Sequence, residues 1–424
     1  MVRFRVSATK HLDIETLRIG IFNYILSKKL DKPLLISIDD TDKQNNIENI
    51  EKEILELLNL FSIDHERVVY QSENLKYHQK IIMQLMAKKE AYSCFCSEEK
   101  LNELKEEAKK ANKPIRYDGF CSTLSDETVL NCNAPFTVRI KEPDSKVTIN
   151  DLLKGEISYQ PYEIDSYIAL AHDKMPKKVY ASAIDDMLYN ISTVVSNDGE
   201  SINAARETYT RALLSYDTKI DYLHLPEISN NKSLNNVKWF IDEGYLPSAI
   251  ANYLVSISLK DENKVFSLED IIKSFDVKNI INNNIVFDID ELKKINKKHI
   301  ELMDNLRLSK ILSYADADIG NLAKLFLTEV STIKELKEKI TLIFQTKEEN
   351  STLKDGILEL KSCMNKAPFF NNFNELKKYI ENNTSLKENE IEKIITYLVL
   401  GNENGPDMNN IYPLIKNYIG EIIK

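Results

Sequence analysis

Acidic side chains stand at the two places where an α/β chain would normally meet a ligand. Asp13 and Glu15 fall in the first turn of a helix that follows the strand-like RFRVS, and Asp39, Asp40 and Asp42 follow the apolar run PLLISI. A helix N-terminus behind a strand attracts anions, because its free N–H groups and positive dipole end face the incoming group. Here two carboxylates stand where a phosphate would go. Asp is also a favoured N-cap, and acids in a first turn are stabilised by the dipole, so simple capping is the competing explanation. A second reactive stretch is CFCSEEKLNELKEEAKKANKPIRYDGFC, which gathers four potential metal ligands into one short region. Buried reduced cysteines are the plainer alternative there.

The elements that must position these residues follow from hydrophobic spacing. Residues 3–7 alternate as a strand, and Ile14, Leu17, Ile21, Phe22, Ile25 and Leu26 recur at helical spacing up to about residue 29. Residues 33–38 read as a buried parallel strand whose trailing acids lie at the C-terminal edge of the sheet, where α/β ligands bind. Helices are expected over 47–60 and 74–89. Residues 135–140, 147–149 and 156–159 read as short strands of a compact mixed insertion. Residues 179–188 and 191–195 read as strand-like runs and 202–214 as a helix; from about 237 the pattern is mostly helical. The order is α/β, mixed insertion, α/β, helical tail. One doubly wound domain split by an insertion accounts for it; two unrelated α/β domains are the alternative.

At 424 residues, 43% hydrophobic and 29% charged, the chain is expected to be globular with sizeable cores. A formal net charge of −10 argues against indiscriminate nucleic-acid binding, though one basic face on an acidic body stays open. Five cysteines without an export signal suggest reduced thiols or a metal site. The start, MVRFRVSATKHLD, has no apolar run, and no window resembles a membrane span. A cytoplasmic protein without a membrane partner is expected.

RFRVSATKHLDIETLRIGIFNY, SIDDTD, YQSENLKYH, CFCSEEKLNEL with RYDGFC, KGEISY, IDDML, HLPEI and VKWFIDEGYLPSAIANYL resemble, in this order, bacterial glutamyl-tRNA synthetases, above all the second, divergent type of some bacteria. The likeness extends through VFDIDELKKIN to GNENGPDMNNIYPLIKNYI. It implies an α/β fold in which a class I Rossmann-type catalytic domain (1–76 and 183–215) is split by a mixed α+β acceptor-binding insertion (77–182). A stem-contact region (216–300) and an all-α anticodon-binding-like region (301–424) follow.

The departures from the family cluster on chemistry. The first class I signature, His-Ile-Gly followed by a small residue or Asn, reads Asp13, Ile14, Glu15 and Thr16 here. Its Pro-Ser-Pro-Thr-Gly approach reads Val6, Ser7, Ala8, Thr9 and Lys10. The family's His donates to ATP phosphates and its Gly lets adenine lie against the backbone. A bare carboxylate about 4 Å from a phosphate costs on the order of 4 kcal/mol at an effective dielectric near 20. The second signature, a Lys-Met-Ser-Lys-type loop, should lie between HLP and VKW, but only EISNNKSLNN separates them, with Lys232 and Ser233 as its echo. At the glutamate site Arg3, Ser7 and Asn203 match the family. Asp39 replaces a Glu, Ser196 stands in place of an Arg, and Lys178–Val179 replace a Tyr-Asn pair.

By contrast, Cys94, Cys96, Tyr117 and Cys121 keep the C-x-C…Y-x-x-x-C spacing that binds zinc in some members of the family, which implies a closed structural site. Cys132 is a rival ligand, and Cys363 reads as core. Asp185–Asp186 and VKWFIDEGYLPSAI, counted among the parts that hold tRNA, are also kept. The resulting expectation is a paralogue, monomeric, with degraded ATP and glutamate sites, binding tRNA (a glutamate or glutamine isoacceptor) or a protein partner. The alternative is an active ligase using ATP and Mg²⁺.

Overall fold

The structure, a computed structural model, describes residues 1–112, 115–229, 236–260, 265–347 and 352–423. Its first strand, β1 (Val2–Ser7), buries Val2, Phe4 and Val6 on one face and Arg3 on the other, as an inner strand covered on both sides must. Helix α1 (Ile14–Lys29) starts where Asp13 caps it and buries Ile14, Leu17, Ile21 and Ile25 at i, i+3 and i+4 spacing. Strand β2 (Leu34–Asp39) follows, apolar until Asp39.

Next come α2 (Ile50–Leu60), β3 (Arg67–Tyr70), α3 (Leu75–Ala87), β4 (Ala91–Cys94), α4 (Glu98–Lys110), α5 (Asp126–Asn131), β5 (Thr137–Ile140), β6 (Val147–Asp151), β7 (Gly155–Tyr159), α6 (Pro161–Ile164) and β8 (Ile168–Leu170). The chain continues through α7 (Lys178–Leu188), β9 (Thr193–Asn197), α8 (Ser201–Leu213), β10 (Asp221–Leu225) and β11 (Ile228–Ser229). It then forms α9 (Val237–Asp242), α10 (Pro247–Ser256), α11 (Leu268–Ser274), β12 (Ile285–Val286) and α12 (Ile289–Leu302). Helices from Asn305–Ile311 to Ile419–Ile422 complete it.

One sheet orders its strands β3-β2-β1-β9-β10-β6-β7, parallel except for the edge strand β7. From β1 the chain moves outward to β2, and later from β9 outward to β10, so the winding reverses between β1 and β9. That switch point is where ligands bind in open α/β sheets. Strands β4, β5 and β8 make a separate antiparallel sheet. The β6–β7 hairpin, although within residues 77–182, extends the central sheet through β10.

One expectation is overturned. Residues 179–188, read as a strand, are the body of α7. An unbroken apolar run does not separate a buried strand from a buried helix. Ala181 and Ala183 favour helix, and both helix flanks are buried, so the run lacks a polar face. Three expected domain limits (76/77, 182/183 and 300/301) fall inside α3, α7 and α12.

The chain divides into two compact units, Met1–Lys238 with Leu254–Phe287, and Trp239–Tyr253 with Asp288–Lys424. The first holds the sheet. The second is helical, with Leu322, Leu336, Ile340, Leu376, Ile391 and Ile411 among its buried side chains. In the first unit Gly20 lets α1 lie directly on β1, since a Cβ there would sit 2.9 Å from the Phe4 ring. Gly20→Ala gains about 1 kcal/mol of helix propensity but overpacks at a cost of about 1–3 kcal/mol. A net loss of up to about 2 kcal/mol is expected in the denaturation midpoint of this unit.

Candidate functional site

A cavity of about 250 Å³ opens at the switch point, at the C-terminal ends of β1, β2 and β9. Ser7 and Asp39, partners in the β1–β2 register, lie on its wall with Ser196, Asn203 and Lys178. Arg3, Arg5, Glu200 and Glu207 also line it. The four expected substrate residues therefore do converge, but each is engaged by its neighbours. Arg3 is buried, with Nε 2.7 Å from Asp186 Oδ1 and a second nitrogen 3.4 Å from Glu207. Ser7 Oγ accepts the Thr9 N–H at 3.2 Å, and Asp39 accepts from the Thr41 hydroxyl at 3.0 Å. Asn203 donates to Glu200 at 2.9 Å and accepts from Arg206 at 3.3 Å.

The sequence reading missed Arg5, Glu200 and Glu207. Arg5 donates to Ser182 and lies 3.6 Å from Glu207 and 3.9 Å from Glu200; Lys178 lies 3.1 Å from Glu200. Burial opposes ionisation of Glu200, yet Lys178, Asn203 and Arg5 hold its carboxyl down at about 2. Arg5, first of all, and then burial lower Lys178 below the usual ammonium range. The available signal was in β1: Arg3 and Arg5 are two residues apart on one face of an inner strand, and buried guanidiniums require carboxylates.

At the start of α1, Asp13 Oδ1 accepts the Thr16 N–H at 2.7 Å and Oδ2 pairs with Lys10 at 2.7 Å. Burial would raise the Asp13 carboxyl, but Lys10 and Thr16 outweigh it and hold it below its ordinary value. Glu15 turns the other way, accepting the Ile228 N–H at 3.3 Å, and its charge acts on the buried Arg18, which burial lowers to about 10. The expected repulsion is thus tempered, because Lys10 and Arg18 offset the two acids. Nor do Asp13 and Glu15 line the cavity; Lys10 and Thr16 do. Ile14 points into the core. Lys232 and Ser233 lie outside the described residues. On either side, Val237 N–H bonds to Leu12 O at 2.8 Å, and β11 pairs with β12.

Asp185 and Asp186, expected beside tRNA, are buried instead. Asp185 accepts from Gln71, Asn74 and His78, and Asp186 faces Arg3 and Arg211. A carboxylate this deep is retained by internal partners rather than by a surface ligand.

The thiol cluster lies at the end of β4. Cys94, Cys96 and Cys121 place their sulfurs within 4.8 Å of one another, and Tyr117 Oη is 3.5 and 3.3 Å from Cys94 and Cys96. The Cys96–Cys121 separation of 3.6 Å is close to the roughly 3.8 Å edge of a tetrahedron with Zn–S bonds of about 2.3 Å. Gly119, at φ 74°, makes the left-handed turn that returns Cys121 to Tyr117, whose hydroxyl accepts the Cys121 N–H at 3.0 Å. Burial opposes a thiolate at Cys94, but Tyr117, the Cys96 N–H and Arg139 bring it down to about 7. Three thiols and a phenol fit a closed metal site. Cys132 is not part of the cluster, and Cys363 packs against the helical core of the second unit. Among the described residues, no helix is long and apolar enough to cross a membrane.

Residues 1–294 match the family described as tRNA synthetases class I (E and Q), catalytic domain. The chain is 42% identical to Glutamate–tRNA ligase 2 of Sulfurimonas denitrificans and 38% identical to Glutamate–tRNA ligase 1 of a Nitratiruptor species, with 100% of both chains covered each time. Its fold is similar to that of a solved glutamate tRNA ligase from Elizabethkingia meningosepticum in complex with its amino acid. That likeness has a TM-score of 0.80 at 20% identity and covers 99% of this chain and 97% of the other. A parallel sheet with its cavity at the switch point, matched over 1–294 and along the full length of these relatives, places the chain in the glutamate–tRNA ligase family of class I tRNA synthetases.

Proposed function

We propose that this member of the glutamate–tRNA ligase family has little or no ATP-dependent glutamate activation and acts as a tRNA-binding or regulatory protein. The observation that carries the reading is the start of α1, where Asp13 takes both the Thr16 N–H and the Lys10 ammonium. Those are the two groups that would otherwise attract a phosphate. A nucleotide must displace a charge-assisted hydrogen bond there, worth about 1.5–3 kcal/mol. The engaged side chains of the cavity, Ser196 in place of the family's Arg, and the short 227–236 connection point the same way. Under this reading Arg3, Ser7, Asp39 and Asn203 are the former glutamate contacts, and the signature residues Asp13 to Thr16 and Lys232 do no catalysis. Cys94, Cys96, Tyr117 and Cys121 hold a structural zinc. The partner is a glutamate or glutamine tRNA, met by 77–182 at its acceptor end, by 216–300 along its stem and by 301–424 near its anticodon, with the protein monomeric.

The 42% identity over the whole chain to a protein called Glutamate–tRNA ligase 2 favours a second reading, an active ligase that uses ATP and Mg²⁺ to attach glutamate to tRNA. ATP–pyrophosphate exchange with glutamate and tRNA present, run beside a tRNA gel shift, separates the two. Exchange indistinguishable from a no-enzyme control, with a retained shift, is the expected result. Robust exchange would establish the ligase instead.

A further inference from the structure

Glu200 occupies an unusual position for a surface acid. It ends the one-turn helix Asp198–Glu200 just before α8, and its carboxylate points into the switch-point cavity. There Lys178 Nζ lies 3.1 Å from Oε1, Asn203 Nδ2 donates to Oε2 at 2.9 Å, and an Arg5 nitrogen lies 3.9 Å from Oε2. Without Glu200 the two cations would face the cavity beside a free amide, with Ser7 and Ser196 on the wall. Such a set, one ammonium, one guanidinium and one amide around a common point, is what recognises a carboxylate.

We propose that Glu200 is a built-in occupant of this cavity: its carboxylate holds the place of a small free carboxylate between Lys178, Asn203 and Arg5, and these groups bind such a ligand once Glu200 is withdrawn. The inference rests on the reading of the cavity as a former substrate site, and it adds the cause of its closure. An internal carboxylate competes at very high effective concentration, so a free ligand of ordinary affinity does not displace it. Glu207 and Asp39 on the same wall disfavour a doubly charged anion such as phosphate. Asp39 favours a ligand that also carries an ammonium group. The class is therefore a small carboxylate, an amino acid before a simple diacid.

The test is calorimetric titration of the full chain without ATP, in low-salt buffer, with L-glutamate, glutarate and inorganic phosphate as probes. E200A is expected to bind L-glutamate at least about tenfold more tightly than the wild type, the scale of one charge-assisted hydrogen-bond set. Glutarate should gain less and phosphate least. The double variant K178A/E200A should lose the gain. Equal binding by wild type and folded E200A, a gain that survives K178A/E200A, or phosphate gaining as much as L-glutamate would each overturn the proposal. Should E200A melt early, E200Q puts the same question by removing the charge alone. Pyrophosphate exchange by the wild type would sink the proposed function, whereas a missing gain in E200A would sink only the role of Glu200.

Discussion

Asp186→Ala should destabilise the sheet-bearing unit by about 3–5 kcal/mol, the usual result of leaving buried charges without their counter-ion. Asp186 is fully buried between Arg3, 2.7 Å from its Nε, and Arg211, 3.5 Å from its Nη1. With Asp186 gone, the carboxylate left paired with Arg3 among the described residues is Glu207 at 3.4 Å, which it shares with Arg5. Arg211 retains hydrogen bonds to two neutral hydroxyls, Tyr222 at 2.8 Å and Thr208 at 3.0 Å. Arg3 and Arg211 are both buried, so bulk solvent compensates the lost anion poorly. Asp186→Asn keeps the volume and a hydrogen-bonding oxygen, so its loss should be smaller. The single tryptophan, Trp239, belongs to the other unit. The measurement is therefore hydrogen exchange at β1 and α7 along a urea series. A loss below about 1 kcal/mol would mean that the network tolerates a missing anion, contrary to the desolvation argument.

Metal analysis of the purified protein is expected to return about one zinc per chain, and Cys96→Ser to leave less than about half an equivalent. Structural zinc sites contribute folding energy outright, about 10–16 kcal/mol in isolated zinc-binding peptides. Here the site closes a loop on a sheet that has its own core, so the effect should be local. Chelation should open the segment between Cys94 and Cys121 to hydrogen exchange while β1 and β9 stay protected. A contact beside the donor set supports this restriction: Arg139, stacked 4.1 Å from the Tyr117 ring, ties the cluster to β5. Full protection of the segment in a metal-free preparation would count against a zinc role.

What could be read from the chain was whatever is encoded by near neighbours. The strand–helix–strand start follows from spacing within thirty-odd residues, Asp13 announces itself as a cap, and the cysteines sit in one short stretch. The residues that fill the cavity could not be read that way. Arg5 meets Glu200 and Glu207 across most of the first unit, and no local pattern links them. The same distance hid the burial of Asp185 and Asp186, since an acidic pair on an unplaced helix looks like surface until its partners, Gln71, His78 and Arg3, are brought to it. α7 was misread for a related reason. A helix buried on both flanks has no polar stripe to betray its period.

The order β2-β1-β9 carries a consequence for how the chain is made. Val2 pairs with Thr193, so the inner edge of β1 stays open until residue 193 has been synthesised. At about 5–20 residues per second, that is a wait of roughly 10–40 s for a nascent chain. Throughout it, the pair VRFRVS and LLISID presents unpaired backbone and apolar faces, the kind of strand edge that recruits other chains. Completion of the central sheet is thereby tied to the late arrival of β9, and until then the open edge of the N-terminal strand pair is a liability for association with other chains.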